Sequence, residues 1–134
     1  MIKDIDFKKT EGLAMAVVKQ QNDEGEPVWK VYLLNLKNTA IESVLIRSRG
    51  YGEKDKQEIK TSELRQFFER VEPQQFVEVE ILTEELLGLH NQFWISFSHA
   101  GFLYDKKYVF LAETIRDDFF TEVPLLNEQG VMIK

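Results

Sequence analysis

The apolar residues of this chain fall in short runs, and this pattern limits its possible folds more than any other feature. The longest unbroken run, Leu13 to Val18, has six residues, whereas a membrane-spanning helix needs about 20. Runs of about four to eight residues, rich in β-branched and aromatic side chains and bounded by turn-forming residues, are typical of strands. The sequence therefore predicts a chain without a membrane span and with strands as its main elements.

Three strands are predicted in the first part of the chain. Residues 13–20 and 28–37 are separated by Asn-Asp-Glu-Gly-Glu-Pro, which indicates a hairpin, and residues 40–48 follow closely. Both parities of the middle strand are apolar, so both of its faces are predicted to be covered. One parity holds Val28, Tyr32, Leu34 and Leu36, and the other holds Trp29, Val31 and Leu33.

A helix is predicted where the apolar period changes. In residues 61–71, Leu64, Phe67, Phe68 and Val71 follow the i, i+3, i+4, i+7 spacing of one helix face. A capping Thr-Ser pair precedes the first of them, and a proline follows the last. Phe67 is therefore expected to be buried. Residues 49–60, with two glycines and alternating charges, are predicted to be a solvated loop.

Residues 76–82 are predicted to form a strand with one face in water, near a sheet edge. Valine and isoleucine alternate with glutamate there, which places the two carboxylates on the solvent side. The apolar parity holds Val77, Val79 and Ile81, and the polar parity holds Glu78 and Glu80.

Two further strands, residues 92–98 and 102–112, flank a tight turn at His99-Ala100-Gly101. An even-length loop would place Phe93, Ile95 and Phe97 on one face with Phe102, Tyr104, Tyr108 and Phe110. The opposite face would collect Trp94, Ser96 and Ser98 with Leu103, Asp105, Lys107 and Val109.

The remaining elements are short. One helical turn is predicted at 83–88 and a short capped helix at 114–120, and the tail after it is apolar enough to dock on the sheet. The predicted fold is α+β, a single domain over residues 1–134. It has an antiparallel sheet of about six strands in the order β-β-β-α-β-β-β-α, with one main packed helix.

Charge and cysteine content exclude several classes of protein. There are 17 Lys and Arg residues against 23 Asp and Glu residues, a net charge of −6, and this disfavours nucleic-acid binding. Without cysteine, the chain has no disulfide, thiolate zinc site, iron–sulfur cluster or cysteine nucleophile. The N-terminus lacks the apolar run of a secretory signal, so a cytoplasmic location is expected.

No catalytic, cofactor or metal site is predicted. His90 and His99 are nine residues apart and would lie on opposite faces of a straight strand, so they are not expected to share a metal. Ser96 or Ser98 with His99 and Asp105 resembles a hydrolase set, but strand parity separates the histidine from the others. There is also no Gly-x-Ser-x-Gly elbow. The protein is therefore not predicted to be an enzyme.

One local basic patch is a weak binding candidate. Its candidate binding residues are Arg47, Arg49 and Tyr51, and Lys54 and Lys56 add further positive charge around the same Gly-Tyr-Gly segment. Guanidinium contacts and stacking on the tyrosine could bind a phosphate or single-stranded RNA. The alternative is an ordinary solvated hairpin loop. The glycine pattern lacks the third glycine and following helix of a dinucleotide-binding fingerprint.

Five stretches together resemble a family of small uncharacterised bacterial proteins over nearly the whole chain. They read VYLLNLKN, RGYG, TSELRQFFE, YDKKYVFLAETI and PLLNEQGVMIK. Some similar sequences are named as a phenylalanyl-tRNA synthetase subunit. The resemblance implies a domain boundary and no catalytic residue, because aminoacylation needs an ATP-binding catalytic domain for which this chain has no room.

The predicted function is that of a cytoplasmic, non-enzymatic protein-interaction or binding module, assembled as a homodimer. Two-sided apolar strands and the face of Trp94 are more surface than a small monomer covers easily, and symmetric dimers are the commonest solution. The alternative is a carrier for a small apolar ligand, with a pocket lined by Phe93, Phe97, Tyr104 and Tyr108.

Overall fold

The computed structural model describes residues 11–134, which contain ten strands and two short 3-10 turns. The 3-10 turns span Glu84–Gly88 and Asp117–Phe119. Residues 1–12, where no secretory signal is predicted, lie largely outside the described residues. The strands are β1 (Leu13–Gln21), β2 (Pro27–Asn35), β3 (Ile41–Lys54), β4 (Gln57–Lys60), β5 (Leu64–Val71), β6 (Gln75–Leu82), β7 (His90–His99), β8 (Phe102–Phe110), β9 (Thr121–Val123) and β10 (Glu128–Ile133).

The strands form two antiparallel sheets that pack face to face. Sheet A has the order β6-β2-β1-β10-β9. Sheet B has the order β4-β3-β7-β8, and β5 follows β4 along the same edge of β3. The main core lies between the sheets and includes Met15, Leu33, Ile46, Phe93 and Tyr108. The fold is thus a β-sandwich, and the predicted α+β fold of six strands with a packed helix is wrong.

No helix within residues 11–134 is long and apolar enough to span a membrane.

Residues 64–71 form strand β5, so the predicted helix is wrong. Phe68 and Val71 pack against the core, whereas Phe67 is 62% exposed on the outer face. The cause is an irregularity in the paired strand β3. Ser43 has a positive φ of 50°, and both Ile41 and Val44 are fully buried despite their opposite parity. Because β5 pairs with β3 across this irregularity, the inward side chains of β5 also change parity. Phe68 and Val71 therefore both point inward although they are three residues apart, which is the spacing of a helix face.

The segment predicted as a loop over residues 49–60 is instead a hairpin. Strand β3 continues to Lys54, and β4 pairs with its end in the register Lys54 opposite Gln57. The two turn residues, Asp55 and Lys56, have positive φ values of 52° and 65°, the conformation that tight two-residue hairpins require. Arg49 and Tyr51 consequently lie on a strand.

A β-bulge in β6 turns Glu80 toward the core, contrary to the predicted alternation. Val31 is opposite Glu80, but the next residue of β2, Tyr32, is opposite Glu78, so one residue of β6 is extra. Beyond the bulge the parity is reversed. Ile81 is 50% exposed, although it was predicted to be on the apolar face with Val77 and Val79.

Both faces of β2 are covered, as the sequence predicted. Trp29, Val31 and Leu33 belong to the core between the sheets. Tyr32 and Leu34 are buried in a second cluster on the other face of sheet A, which includes Val123 and Leu126. The tail docks as predicted, with β10 paired to β1. The short helix predicted at 114–120 is wrong, since only the 3-10 turn Asp117–Phe119 forms there, without a side-chain cap.

The predicted hairpin of the second half is confirmed. Ala100 and Gly101 form a two-residue turn, with φ values of 51° and 81°. The inward residues of β7 and β8 meet as expected, with Phe93 opposite Tyr108 and Phe97 opposite Tyr104. The prediction fails only at Phe102, which is 51% exposed.

Candidate functional site

The outward face of sheet B carries a tryptophan between two cationic side chains. Trp94 on β7 is directly opposite Arg47 on β3 and Lys107 on β8. The Arg47 Cζ atom is 4.9 Å from the centroid of the Trp94 ring, and the Lys107 Nζ atom is 5.9 Å from it. Both distances are in the range of cation–π attraction. We call the surrounding outward side chains the Trp94 face. It comprises Leu45, Arg47, Arg49, Tyr51, Arg65, Phe67, Gln92, Trp94, Leu103, Asp105 and Lys107.

The Trp94 ring is held in place by a hydrogen bond. Its indole Nε1–H donates to Asp105 Oδ1 on the neighbouring strand. Because the same ring also contacts the guanidinium of Arg47, its plane is constrained from two directions. A half-buried, oriented indole loses little conformational freedom when a ligand covers it.

The Trp94 face has an excess of positive charge although the whole chain has a net charge of −6. Arg65 is paired with Glu63, with 3.0 Å between Nε and Oε2. Within residues 11–134, neither Arg47, Arg49 nor Lys107 forms an ion pair. A depression of about 210 Å³ lies beside Arg47 and Arg49, and Trp94 and the carboxylate Glu63 also line it.

A second depression lies at the end of the face where β3 and β4 form their hairpin. Its volume is about 390 Å³, and Tyr51 and His90 are among its lining residues. Their ring centroids are 5.2 Å apart. The backbone N–H of Ala112 donates to His90 Nδ1 over 3.0 Å, so a neutral His90 carries its proton on Nε2. The Nε2–H group of a neutral His90 is therefore a hydrogen-bond donor.

The apolar part of the Trp94 face lies toward the other end of the strands. Phe67 on β5 is opposite Leu45 on β3, and Phe67 is 62% exposed. Leu103 on β8 is 64% exposed. Aromatic, apolar and cationic side chains are thus combined on one sheet surface, a composition typical of protein–protein interfaces.

The structure brings the three residues of the predicted basic patch onto one strand face. Arg47, Arg49 and Tyr51 alternate along β3 and all point outward. Their association with Trp94 and Lys107 was not predicted from the sequence, because residues 49–60 were expected to form a loop. The predicted pairing of residues 92–98 with 102–112 already placed Trp94 on one face with Lys107. The continued alternation of β3 beyond Ser48, which adds Arg49 and Tyr51 to that face, was not predicted.

The other candidates of the sequence lie apart. Ser96 and Asp105 are opposite each other on the outer face, whereas His99 contacts Thr39 and Tyr104. Among the residues of the described range, no group of three His, Asp or Glu side chains is arranged to hold a metal ion.

Comparison with models of protein families gave no match, and comparison with curated proteins gave none either.

Proposed function

We propose that this protein is a non-enzymatic interaction module whose Trp94 face binds an extended acidic segment of a partner protein. The observation that carries the proposal is the position of Trp94 between Arg47 and Lys107, two cations that form no ion pair within residues 11–134. On a chain with a net charge of −6, such a cluster is suited to a local anionic partner.

The side chains of the face support an interaction of this kind. Tryptophan and arginine carry a large share of the binding energy in protein interfaces. Guanidinium groups also match carboxylates with two parallel hydrogen bonds. The exposed rings and methyl groups of Phe67 and Leu103 supply apolar area beside the charges.

The net charge favours an acidic protein segment over a nucleic acid. A long polyanion is repelled by the acidic remainder of this chain, whereas a short segment with a few carboxylates meets mainly the local positive cluster. Binding should weaken with added salt, because the cations that would contact the carboxylates are exposed or half-buried.

A labelled peptide in which glutamate alternates with leucine and phenylalanine tests the proposal by fluorescence anisotropy. We expect saturable binding that falls by about tenfold or more in Trp94→Ala and in Lys107→Ala. Lys19→Ala is the matched control, because Lys19 also lies over a tryptophan ring, Trp29, at 5.3 Å, but on sheet A. It should bind the peptide as the unchanged protein does.

A second peptide with glutamine in place of glutamate measures the contribution of charge. Equal affinity for the two peptides, or equal losses in Lys19→Ala and Lys107→Ala, would contradict the proposal. Tighter binding of a single-stranded oligonucleotide than of the acidic peptide would replace the proposed partner class with a nucleic acid.

The homodimer and the cytoplasmic location remain predictions. Repulsion between like charges opposes a symmetric pairing through Arg47 and Lys107, so a dimer would use another surface. Native mass spectrometry measures the oligomeric state directly.

The alternative function is that of a carrier for a small apolar ligand, and only one of the four residues predicted to line its pocket lies beside a cleft. Phe93 borders a cleft, while Phe97 stacks on Tyr104 and Tyr108 is buried in the core.

A further inference from the structure

A cleft lies between the two sheets, on the inner side of sheet B, and Arg49 of the Trp94 face is one of its lining residues. Its volume is about 190 Å³, and it lies beside the end of β6, the 3-10 turn Glu84–Gly88 and the strands β3, β5 and β7. Leu64, Leu86 and Phe93 provide apolar walls. Three polar side chains that point toward the inside of the sandwich also line it: Ser48, Glu80 and Asn91.

Glu80 is a carboxylate that forms no ion pair with Arg49 or with any other cation of residues 11–134. It reaches the cleft because of the bulge in β6, and bulges that redirect a side chain are frequent next to functional sites. Ser48 Oγ donates a hydrogen bond to its Oε1 atom. Within residues 11–134, Glu80 has no salt bridge, and its Oε2 atom has no hydrogen bond. Burial raises the pKa of Glu80, and the hydroxyl of Ser48 opposes this shift.

Asn91 and Thr61 have no free side-chain donor in the cleft, which Arg49 and Ser62 also line. Asn91 Nδ2 donates to the backbone oxygens of Leu86 and Leu89, over 2.8 and 3.1 Å, so its amide orientation is set and Oδ1 remains an acceptor. The Thr61 hydroxyl donates to the backbone oxygen of Ser62 and accepts from Gly50 N. The hydroxyl protons of Ser48 and Thr61 are therefore already used.

We propose that this cleft binds a small molecule with a primary ammonium group and a short apolar body. An ammonium has three donors and no acceptor, which complements the open oxygens of Glu80 and Asn91. Its charge would compensate the half-buried carboxylate of Glu80. The apolar body would pack on Leu64, Leu86 and Phe93.

The dimensions of the cleft limit the ligand further. A water molecule in the liquid takes about 30 Å³, so about 190 Å³ corresponds to about six waters. A monoamine with a short alkyl or aryl body matches this volume, and a long lipid chain exceeds it. An anion of the same size would meet the negative charge of Glu80 at close range and is disfavoured by repulsion.

Three four-carbon probes of different charge test the proposal on the intact chain. The probes are n-butylammonium, n-butanol and butyrate, titrated at constant ionic strength and followed by amide chemical shifts in NMR. We expect saturable shifts at residues 48, 80 and 91 with n-butylammonium only. Saturable shifts of the same size with n-butanol or butyrate would overturn the inference, as would no saturable shift with n-butylammonium.

Two single-charge variants separate a specific contact from a general effect of charge. Glu80→Gln keeps the shape of the side chain and should weaken n-butylammonium binding by about tenfold or more. Glu78→Gln removes the same charge two residues away, from an outward side chain paired with Lys30 at 3.4 Å, and should leave binding unchanged. Equal affinities in Glu80→Gln and the unchanged protein, or equal losses in both variants, would refute a site at Glu80. The Trp94 face would be unaffected by that outcome.

Discussion

Replacement of two phenylalanines by alanine, one at a time, tests the β-sandwich against the helix that the sequence suggested. Phe93 is 1% exposed and packs edge-to-face on Phe110, with 6.0 Å between the ring centroids. Truncation of a buried phenylalanine typically lowers the free energy of unfolding by about 3–5 kcal/mol. Phe93→Ala should fall in this range.

Phe67→Ala should cost much less. Complete burial of a phenylalanine side chain stabilises a protein by about 1.5–3 kcal/mol, and Phe67 is 62% exposed. Little more than a third of this stabilisation can be lost on truncation, so we expect the free energy of unfolding to fall by about 0.5–1 kcal/mol. If residues 61–71 were an amphipathic helix packed on a sheet, Phe67 would lie at the centre of the buried stripe.

Urea denaturation followed by far-UV circular dichroism measures both losses. The m-values of the variants should match that of the unchanged protein, so that shifts of the midpoint report stability alone. Each variant is measured at two protein concentrations, because burial of Phe67 between two copies would make its loss depend on concentration. A concentration-independent loss in Phe67→Ala as large as that in Phe93→Ala would refute the strand assignment of β5.

Three further predictions concern substitutions at single positions. Gly130→Ala should lower the free energy of unfolding by about 1–3 kcal/mol, because a Cβ atom there would lie 2.4 Å from the backbone oxygen of Val17. The control is Gly88→Ala, where the nearest contact of the new Cβ atom would be at 3.7 Å. It should change the free energy of unfolding by less than about 0.5 kcal/mol in the same urea denaturation experiment. Tyr108→Phe should raise stability by about 1 kcal/mol, because the buried Tyr108 hydroxyl has no hydrogen-bond partner among residues 11–134 and burial raises its pKa. A loss of stability would show that this hydroxyl is satisfied. Glu80 has a raised pKa in the fold, so its contribution is most favourable below the ordinary carboxyl pKa and declines as pH rises through the folded value. The stability of Glu80→Gln relative to the unchanged protein should therefore increase with pH, by at most about 1.4 kcal/mol per pH unit, and a difference that is flat between pH 4 and 8 would contradict this reasoning.

Elements with uninterrupted alternation were predictable from the sequence. In β2 both parities are apolar, and both faces are covered. In β7 and β8 the alternation and the two-residue turn at Ala100-Gly101 together determined which side chains meet. The outward group of Trp94, Asp105 and Lys107 followed from the same pairing, and it forms the centre of the candidate face.

The elements that could not be predicted contain irregularities of one residue. An extra residue in β6 reverses the parity of Glu80 and Ile81, and nothing in the letters VEVEIL marks its position. The distortion at Ser43 gives β5 an inward spacing that is identical in part to a helix face, so a local period could not distinguish the two structures. Pairing of β10 with β1 joins distant parts of the chain and has no local signal at all.

The two candidate sites depend on opposite uses of strand alternation. The Trp94 face needs regular alternation, because Arg47 and Arg49 reach the same surface only if β3 continues without a break past Ser48. The cleft depends on the bulge that interrupts the alternation of β6, because a regular β6 would place Glu80 on the solvent side together with Glu78. A carboxylate turned inward without a cation opposes folding, and local rules are most often broken in this way at functional sites. The bulge in β6 is therefore the feature of this chain that is hardest to explain by stability alone, and a ligand carrying a positive charge is the simplest compensation for it.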